Sequence, residues 1–319
     1  MAVYVNTNVS SLNGQRYLTN VQNSLNTTYT RLSSGLRINS AKDDAAGLQI
    51  ADRLTSQING LNQGNRNAND GIALAQTIEG GLDEISNMLQ RIRTLAVQSA
   101  NGTLGADDRE AIQKETNALT DEITRIAEQT TFGGKTILKG YDANDSIYAT
   151  SVAMATLDTT KNVTGGRLTL HVGANTDNII TMDVYNFQFD KLACAAGLAK
   201  ITPTATTQNM SSGFNATDNT FFLSTQSGAN GAIEHIDAMI KVVDSQRADL
   251  GAIQNRLESS IRNQSNVSAN SADARSRIRD ADFAEESANL SQQSIIQQAA
   301  TSMLMQANTR PQLALSMLG

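Results

Sequence analysis

The sequence predicts a mainly α-helical protein, an elongated coiled-coil or bundle rod built from both chain ends, with a small β-hairpin region in the middle. Three observations support this fold class. Apolar residues alternate at spacings of three and four along the stretch that ends at Ala96, which is the pattern of a coiled-coil seam. Aromatic content is only 4% and there is no Trp, whereas globular cores draw on large aromatic side chains. Two prolines, Pro203 and Pro311, leave long stretches free to be helical.

The first predicted helix lies near the start of the chain. It is indicated by an apolar stripe that comprises Leu18, Val21, Leu25, Tyr29, Leu32 and Leu36. Ser40 and Asp43 then have the spacing of a capping box, which predicts that a second, much longer helix begins at about Ala41 and ends at about Ala100.

The long second helix carries the regular alternation. Its members are Ala75, Ile78, Leu82, Ile85, Leu89, Ile92 and Ala96. Residues that continue roughly the same face upstream are Ile50, Leu54, Ile58, Leu61, Ala68 and Ile72. Gly80 and Gly81 in its middle should weaken the helix by roughly 1 kcal/mol each relative to alanine.

A third helix is predicted after the breaker segment 101–105, because Asp107 and Glu110 form a second capping-box pattern. Its shorter stripe comprises Ile112, Leu119, Ile123 and Ile126. Residues 131–140 leave the helical pattern.

The middle of the chain predicts a β-hairpin. Residues 167–172 and 179–184 alternate as strands on either side of a turn-rich segment, which places the hairpin at about 167–184. Residues 186–230 carry weak signals and predict loop with a short helix at 189–200.

The end of the chain predicts another long helical seam. Its stripe comprises Ile233, Ile236, Ile240, Val243, Leu250, Leu257 and Ile261. Arg247 and Gln254 fall in line with this stripe and interrupt it. An ordinary helical-bundle core explains residues 45–130 with 232–270, and this interpretation is compatible with a chain that also packs against its neighbours.

Several classes of function are disfavoured. A net charge of -6 without a basic cluster argues against a nucleic-acid partner. No apolar run reaches the length of a membrane span, and the first residues lack the features of a cleavable signal. Cys194 lies among small apolar residues, which favours an inert thiol over a reactive one, and His171 and His235 are too few and too far apart for a zinc site. We find no catalytic, metal or cofactor motif, so we expect a non-enzyme.

Helical ends that lie far apart in sequence, each with a seam that needs a partner, are typical of a subunit that packs against itself and its neighbours. The stripes near the two chain ends can be buried only against each other and against neighbouring subunits. The residues we expect at such inter-subunit contacts are Leu25, Leu32, Leu36, Ile296, Met303 and Leu313.

Several blocks of the sequence are similar to bacterial flagellins. The most specific is RLSSGLRINSAKDDAAG at 31–47, and NANDGI at 67–72 and LQRIRTLAVQSAN at 89–101 resemble two further blocks. SRIRDADF at 276–283 and MLMQAN at 303–308 resemble the blocks of the C-terminal region. The resemblance covers nearly all of residues 1–140 and 228–319.

The resemblance implies a structural subunit of the extracellular flagellar filament that serves swimming motility. It implies that residues 1–43 and 277–319 form an inner terminal coiled coil in the filament core. Residues 44–276 would form an outer rod with the hairpin and a short variable surface region at about 141–230. A hook-filament junction protein, which shares the helical termini, is the alternative, and it matches the 31–47 block less well. A signalling coiled coil lacks a visible span or sensor domain, and an inserted protease lacks a metal motif.

The resemblance also implies partners. They are other copies of the chain, an export chaperone at the C-terminus, and the filament cap and hook-associated proteins, with secretion through the flagellar export channel. In flagellins an innate immune receptor of animal hosts reads the outer-rod helices, and the matching positions here are Arg91, Leu95 and Glu115.

Overall fold

The computed structural model describes residues 7–142, 145–154, 163–197, 213–215 and 220–316. The helices in these ranges are α1 (Val9–Ser34), α2 (Ala45–Ala100), α3 (Ala106–Gln129), α4 (Phe189–Ala195), α5 (Gln226–Arg279) and α6 (Phe283–Ser316). The strands are β1 (Thr131–Phe132), β2 (Lys135–Thr136), β3 (Thr150–Met154), β4 (Val163–His171), β5 (Ile179–Val184), β6 (Phe214–Asn215) and β7 (Thr220–Phe221). The mainly α fold is confirmed.

The chain forms two compact units, one of Met1–Asn59 with Val267–Gly319 and one of Gly60–Asn266. These divisions fall inside α2 and α5 rather than at residues 43/44 and 276/277, where we placed the inner and outer parts of a filament subunit.

The core of the Gly60–Asn266 unit is built on the alternating stripe of α2. All seven of its members, from Ala75 to Ala96, are 0% exposed. The stripe of α5 joins the same core through Ile236, Val243, Leu250 and Leu257, which are equally buried.

The two polar residues that interrupt the α5 stripe find partners on α2. Arg247 Nη2 lies 3.1 Å from Asp83 Oδ1, and Gln254 Nε2 donates to Glu79 Oε2 at 3.0 Å. Polar groups in line with a seam are therefore accommodated by acidic groups on the facing helix.

Two predicted stripe members are exceptions. Ile50 is 48% exposed and Tyr29 is 57% exposed, so the expectation that they continue the buried faces is wrong. The buried residues of each helix recur every three or four positions, and that series skips the position that each of these two residues occupies.

The predicted start of α2 is wrong by four residues. The Asp43 carboxylate accepts from the backbone N–H groups of Asn39 and Ser40, so it closes a turn ahead of the helix. Asp44 performs the capping instead, because its Oδ1 accepts from Gly47 N at 2.9 Å, which satisfies one amide of the first turn.

The start of α3 is displaced from the second capping-box pattern in a similar way. The side chain that reaches back is Asp108, whose Oδ2 accepts from Gly105 N at 3.1 Å. Glu110, the predicted partner, instead pairs with Lys114 at 3.0 Å on the helix surface.

The two central glycines of α2 have different surroundings, and α2 runs through both of them without a break. A Cβ on Gly81 would lie 2.6 Å from Leu138 Cδ1, whereas a Cβ on Gly80 would meet nothing within 4 Å. Gly81 therefore allows the segment after α3 to pack closely on α2.

The β-hairpin is confirmed, with β4 and β5 paired antiparallel so that Leu168 lies opposite Met182 and Leu170 opposite Ile180. The sequence did not reveal the third strand of this sheet, β3, which pairs antiparallel with β4. Part of β3 lies opposite Gly165 and Gly166, and a Cβ on Gly166 would overlap the ring of Tyr148, so this edge depends on residues without side chains.

The tip of this β-hairpin packs closely against two glycines of α2. A Cβ on Gly60 would lie 2.8 Å from the Cβ of Ala174, and one on Gly64 would overlap the carbonyl oxygen of Val172. From α5, Gln264 Nε2 donates to the same carbonyl oxygen. The tip is thus held by close backbone approach on one helix and by an amide on the other.

Two other glutamines pair with extended backbone in the manner of a strand. Gln246 on α5, fully buried, donates to Asp183 O at 3.0 Å and accepts from Tyr185 N at 3.3 Å. Gln113 on α3 donates to Phe221 O at 2.5 Å and accepts from Leu223 N at 2.6 Å.

The predicted short helix at 189–200 corresponds to α4, which ends at Ala195; residues 198–200 lie outside the described residues. Phe189 packs edge-on against Phe221 with ring centroids 5.4 Å apart. Cys194, also on α4, is buried at 3% exposure.

Candidate functional site

The two ends of the chain meet as an antiparallel helical hairpin of α1 and α6, which we call the terminal hairpin. On α1 the shielded positions recur at spacings of three and four, and they are Ser11, Gly14, Leu18, Val21, Leu25, Thr28 and Leu32. The shielded positions on α6 that follow a similar spacing are Glu286, Leu290, Gln293, Gln297, Ala300, Leu304 and Ala307. The sequence-predicted stripe on α1 therefore faces α6 within one chain.

Polar contacts fix the antiparallel register at both ends of the terminal hairpin. Asn8 Nδ2 donates to Ala307 O at 2.8 Å at one end. At the other, Arg31 Nη1 lies 3.0 Å from Glu286 Oε1, and the glutamate side chain is only 9% exposed. A half-buried ion pair of this kind constrains register because leaving either charge unpaired is costly.

The segment that follows α1 also pairs with the end of α5 and the short segment between α5 and α6. Leu36 and Asp280 form an antiparallel bridge, Arg37 N donates to Arg279 O at 2.7 Å, and Ala281 N donates to Gly35 O at 3.0 Å. Gly35 ends α1 with φ 71°, a left-handed conformation that glycine adopts without strain.

The loop from Asn39 to Asp43 is shaped by one carboxylate. Hydrogen bonds from the Ser40 amide, then from the Asn39 amide and the Ser40 hydroxyl, hold the pKa of Asp43 below its ordinary value. The charged form is therefore the one that stabilises this loop.

One side of the terminal hairpin carries an open apolar groove of about 810 Å³, which we call the hairpin groove. Its apolar lining comprises Tyr17, Val21, Ile296, Ala299, Ala300, Met303 and Ala307. Tyr17 is 70% exposed and Met303 67%, so large apolar side chains remain uncovered after α1 and α6 have paired.

The six predicted assembly residues fall into different positions. Leu25 is buried inside the hairpin seam, and Leu32 and Leu36 are half-buried. Ile296 and Met303 line the hairpin groove. The side chain of Leu313 lies outside the described residues. Sequence reasoning missed Tyr17, because it falls beside the stripe rather than on it.

Of the three predicted receptor-contact residues, two form a surface ion pair and the third is buried. Arg91 Nε and Nη2 lie 2.9 and 2.6 Å from Glu115 Oε1, and both side chains are exposed on α2 and α3. Leu95 is 2% exposed, so it does not lie on the surface beside Arg91, where a receptor contact would need it. Its position three residues after the fully buried Ile92 places it on the buried face of α2.

In the parts of the chain that the structure describes, no cluster of three or more His, Cys, Asp and Glu side chains has an arrangement that could hold a metal ion. No described helix carries an apolar stretch long enough to cross a membrane.

Family models match the chain at both ends. The bacterial flagellin N-terminal helical region matches residues 5–143, and the bacterial flagellin C-terminal helical region matches residues 233–318. The chain belongs to the bacterial flagellin family. Each match contains one of the two helices of the terminal hairpin, so the hairpin is built from the two regions that define flagellins.

Full-length relatives agree with this assignment. The chain is 39% identical over 378 residues to Flagellin B of Vibrio cholerae serotype O1 and 40% identical over 377 residues to Flagellin D of the same species, with all of each chain covered. Among solved structures it is similar to Bacillus cereus flagellin, at 26% identity and a TM-score of 0.41, covering 62% of this chain and 88% of that one.

Membership of the family settles the class of function. Flagellins are structural proteins, not enzymes, and this flagellin is a subunit that polymerises into the extracellular bacterial flagellar filament. The hook-filament junction alternative is the weaker one, because the full-length relatives are flagellins.

Proposed function

We propose that the hairpin groove is the surface on which neighbouring copies of this flagellin pack in the filament. The observation that supports this is the exposure of Tyr17, Ile296 and Met303 after the internal seam of the hairpin has been filled. Complete burial of a Met or Ile side chain contributes roughly 1.5–3 kcal/mol. Covering three large apolar groups in every subunit is thus a substantial driving force for polymerisation.

The same reasoning supports the division of the subunit into an inner part, 1–43 with 277–319, and an outer part, 44–276. The inner part contains the terminal hairpin and its groove, whereas the outer part contains the α2–α5 core, the β-hairpin and the variable region at about 141–230. Two helices packed only on each other bury little apolar area and are marginal in water. In the monomer, the chain ends are then disordered, and they fold as subunits assemble.

Two tyrosines on α1 test the groove. Tyr17 lines it and Tyr29 does not, yet both are exposed on the same helix. Tyr17→Asp should abolish or strongly reduce sedimentable filaments, because a carboxylate would be buried without a partner. Tyr29→Asp is the matched control and should polymerise far better. Equal polymerisation by the two variants, or equal loss, would contradict the proposal.

An export chaperone is a second partner of the hairpin groove, through the exposed apolar residues of α6. Secretion through the flagellar export channel requires an unfolded chain, and exposed apolar residues on α6 would otherwise drive early polymerisation. Deleting residues 280–319 should abolish pull-down by a flagellin export chaperone, and undiminished binding would count against this role. The filament cap and hook-associated proteins would meet the same terminal helices.

The receptor site is proposed at the exposed Arg91–Glu115 pair. The guanidinium offers a planar set of N–H donors, and Glu115 orients it from the neighbouring helix. Arg91→Ala should weaken binding of an innate immune receptor by on the order of 1–3 kcal/mol if the arginine is a hot spot. Arg93→Ala removes the similarly exposed Arg93–Asp237 pair and is the matched control in a receptor-reporter assay on monomer. Unchanged signalling by Arg91→Ala would refute the site.

A further inference from the structure

Four Asn-Gly dipeptides occur in the chain, and only one of them lies outside a helix. Asn13–Gly14, Asn59–Gly60 and Asn230–Gly231 lie within α1, α2 and α5. Asn101–Gly102 lies in the exposed turn between α2 and α3. Loss of the side-chain amide is easiest at Asn-Gly, because glycine places no Cβ next to the attacking backbone nitrogen. A position outside a helix also leaves that nitrogen accessible.

We propose that Asn101 is a site of spontaneous covalent modification. The backbone nitrogen of Gly102 attacks Cγ of Asn101, a C–N bond forms, the Gly102 amide loses its proton, and the side-chain nitrogen leaves as ammonia. Water then adds to either carbonyl of the resulting succinimide ring. One opening yields aspartate and the other yields isoaspartate, so water is the only co-reactant.

The attacking nitrogen is available in this turn. Gly102 N makes no hydrogen bond with another residue in the part of the chain that the structure describes, and Asn101, Gly102 and Thr103 are all exposed. Within a helix, by contrast, the corresponding N–H bonds to the carbonyl four residues earlier, and ring closure requires that turn to open. The folded structure therefore favours the reaction at Asn101 over the reaction at Asn59, which lies within α2.

Two hydrogen bonds favour the reaction at Asn101. Arg109 Nη2 donates to Asn101 O at 3.0 Å, and this carbonyl shares its peptide group with Gly102 N, so the guanidinium makes loss of the N–H proton easier. Thr103 N donates to Asn101 Oδ1 at 3.4 Å, on the carbonyl oxygen that gains negative charge as the nitrogen attacks.

The products alter the turn in two ways. Either product replaces a neutral amide by a carboxylate next to Arg109, which makes the net charge one unit more negative than -6. Isoaspartate also inserts an extra methylene into the backbone between α2 and α3. The modified and unmodified proteins therefore differ in net charge, and ion-exchange chromatography can separate them.

Tryptic peptides provide the test. The full chain, kept monomeric, is incubated in mildly alkaline buffer and digested; residues 94–109 carry Asn101 and residues 54–66 carry Asn59. The peptide of Asn101 should gain one mass unit several-fold faster than the peptide of Asn59. In denaturant the two rates should converge, because the helix no longer protects Asn59. Gly102→Ala should slow the conversion several-fold, and its Cβ would meet only Gln226 Nε2, at 3.8 Å.

Three outcomes would overturn the proposal. The first is equal conversion of Asn101 and Asn59 in the folded protein, which would mean that the fold selects neither. The second is conversion of Asn101 only after unfolding. The third is an unchanged rate in Gly102→Ala.

Discussion

The α2 core and the terminal hairpin use the same spacing of three and four, but different residues fill it. In α2 the positions from Ile78 to Ile92 are isoleucine and leucine and are 0% exposed. In the hairpin the spacing includes Gly14, Thr28 and Gln293, and most positions are only half-buried. Because apolar burial stabilises by roughly 25 cal/mol per Å², we expect the first region to be stable alone and the second to need a further partner. The spacing of residues determines which side chains pack together, and the chemistry of those side chains determines whether the packed helices need a further partner to be stable.

The largest expected difference between the two regions is in amide hydrogen exchange. In the monomer, amides between Ala75 and Ala96 should exchange only through opening near the global value, about 5–15 kcal/mol, whereas those between Leu25 and Leu36 should open at about 0 kcal/mol. Polymerisation should then protect the second group. Equal protection of Leu25–Leu36 in monomer and filament would remove the distinction between the regions.

A cavity in the α2 core should cost much more than the same change at an exposed position of α2. Ile85→Ala removes a fully buried side chain and should lower the free energy of unfolding by roughly 2–5 kcal/mol. Ile50→Ala, at a residue 48% exposed, is the control and should cost far less. Urea unfolding of the two variants measures both values. Similar losses would mean that the stripe of α2 does not hold the core.

Replacing either of two glycines of α2 with alanine should change the free energy of unfolding, and the two changes should have opposite signs. Gly64→Ala would force the β-hairpin tip away from the helix and should cost roughly 1–3 kcal/mol. Gly80→Ala meets nothing and should stabilise by up to about 1 kcal/mol through helix propensity. Thermal unfolding distinguishes them, and stabilisation by both substitutions would show that the tip does not depend on Gly64.

The smallest effect concerns Asp43. Its pKa is lowered in the folded protein, so its contribution to stability is complete above the unfolded value of 3.8 and is lost as the pH falls through the folded pKa. An NMR titration should place this carboxyl below 3.8, and Asp43→Asn should abolish that part of the acid dependence. Titration at or above 3.8 would contradict the turn described for Asn39–Asp43.

Long-range regularity was predictable from the sequence, and local chemistry was less so. The α2 and α5 stripes were visible because each extends over several turns, and the β4–β5 hairpin was visible because apolar residues alternate on both sides of a turn. The start of α2 was mistaken because an acidic residue after serine can close a turn as well as cap a helix. Only the hydrogen bonds distinguish Asp43 from Asp44.

The remaining misses have different physical causes. Strand β3 has the sequence Thr-Ser-Val-Ala-Met, in which polar and apolar residues do not alternate, so no strand pattern could be detected. Leu95 was expected on the surface although its spacing from Ile92 places it against the core. Tyr17 could have been found by asking which large apolar residues on α1 lie beside the stripe, because such residues are the ones left uncovered when the stripe itself is filled.

The hydrogen bond from Asn8 to Ala307 joins residues 299 positions apart, nearly the full length of the chain. Contacts of such separation form late, because the entropy of closing so long a loop must first be overcome. A chain that is synthesised or emerges from a channel one end at a time therefore cannot complete its terminal hairpin until its final helix arrives. Seven of the twelve residues that line the groove come from α6, so a copy that ends before α6 lacks most of the groove. If neighbouring copies pack on the hairpin groove, as we propose, the pairing of the first and last helices would act as a length check on each molecule before it joins a polymer.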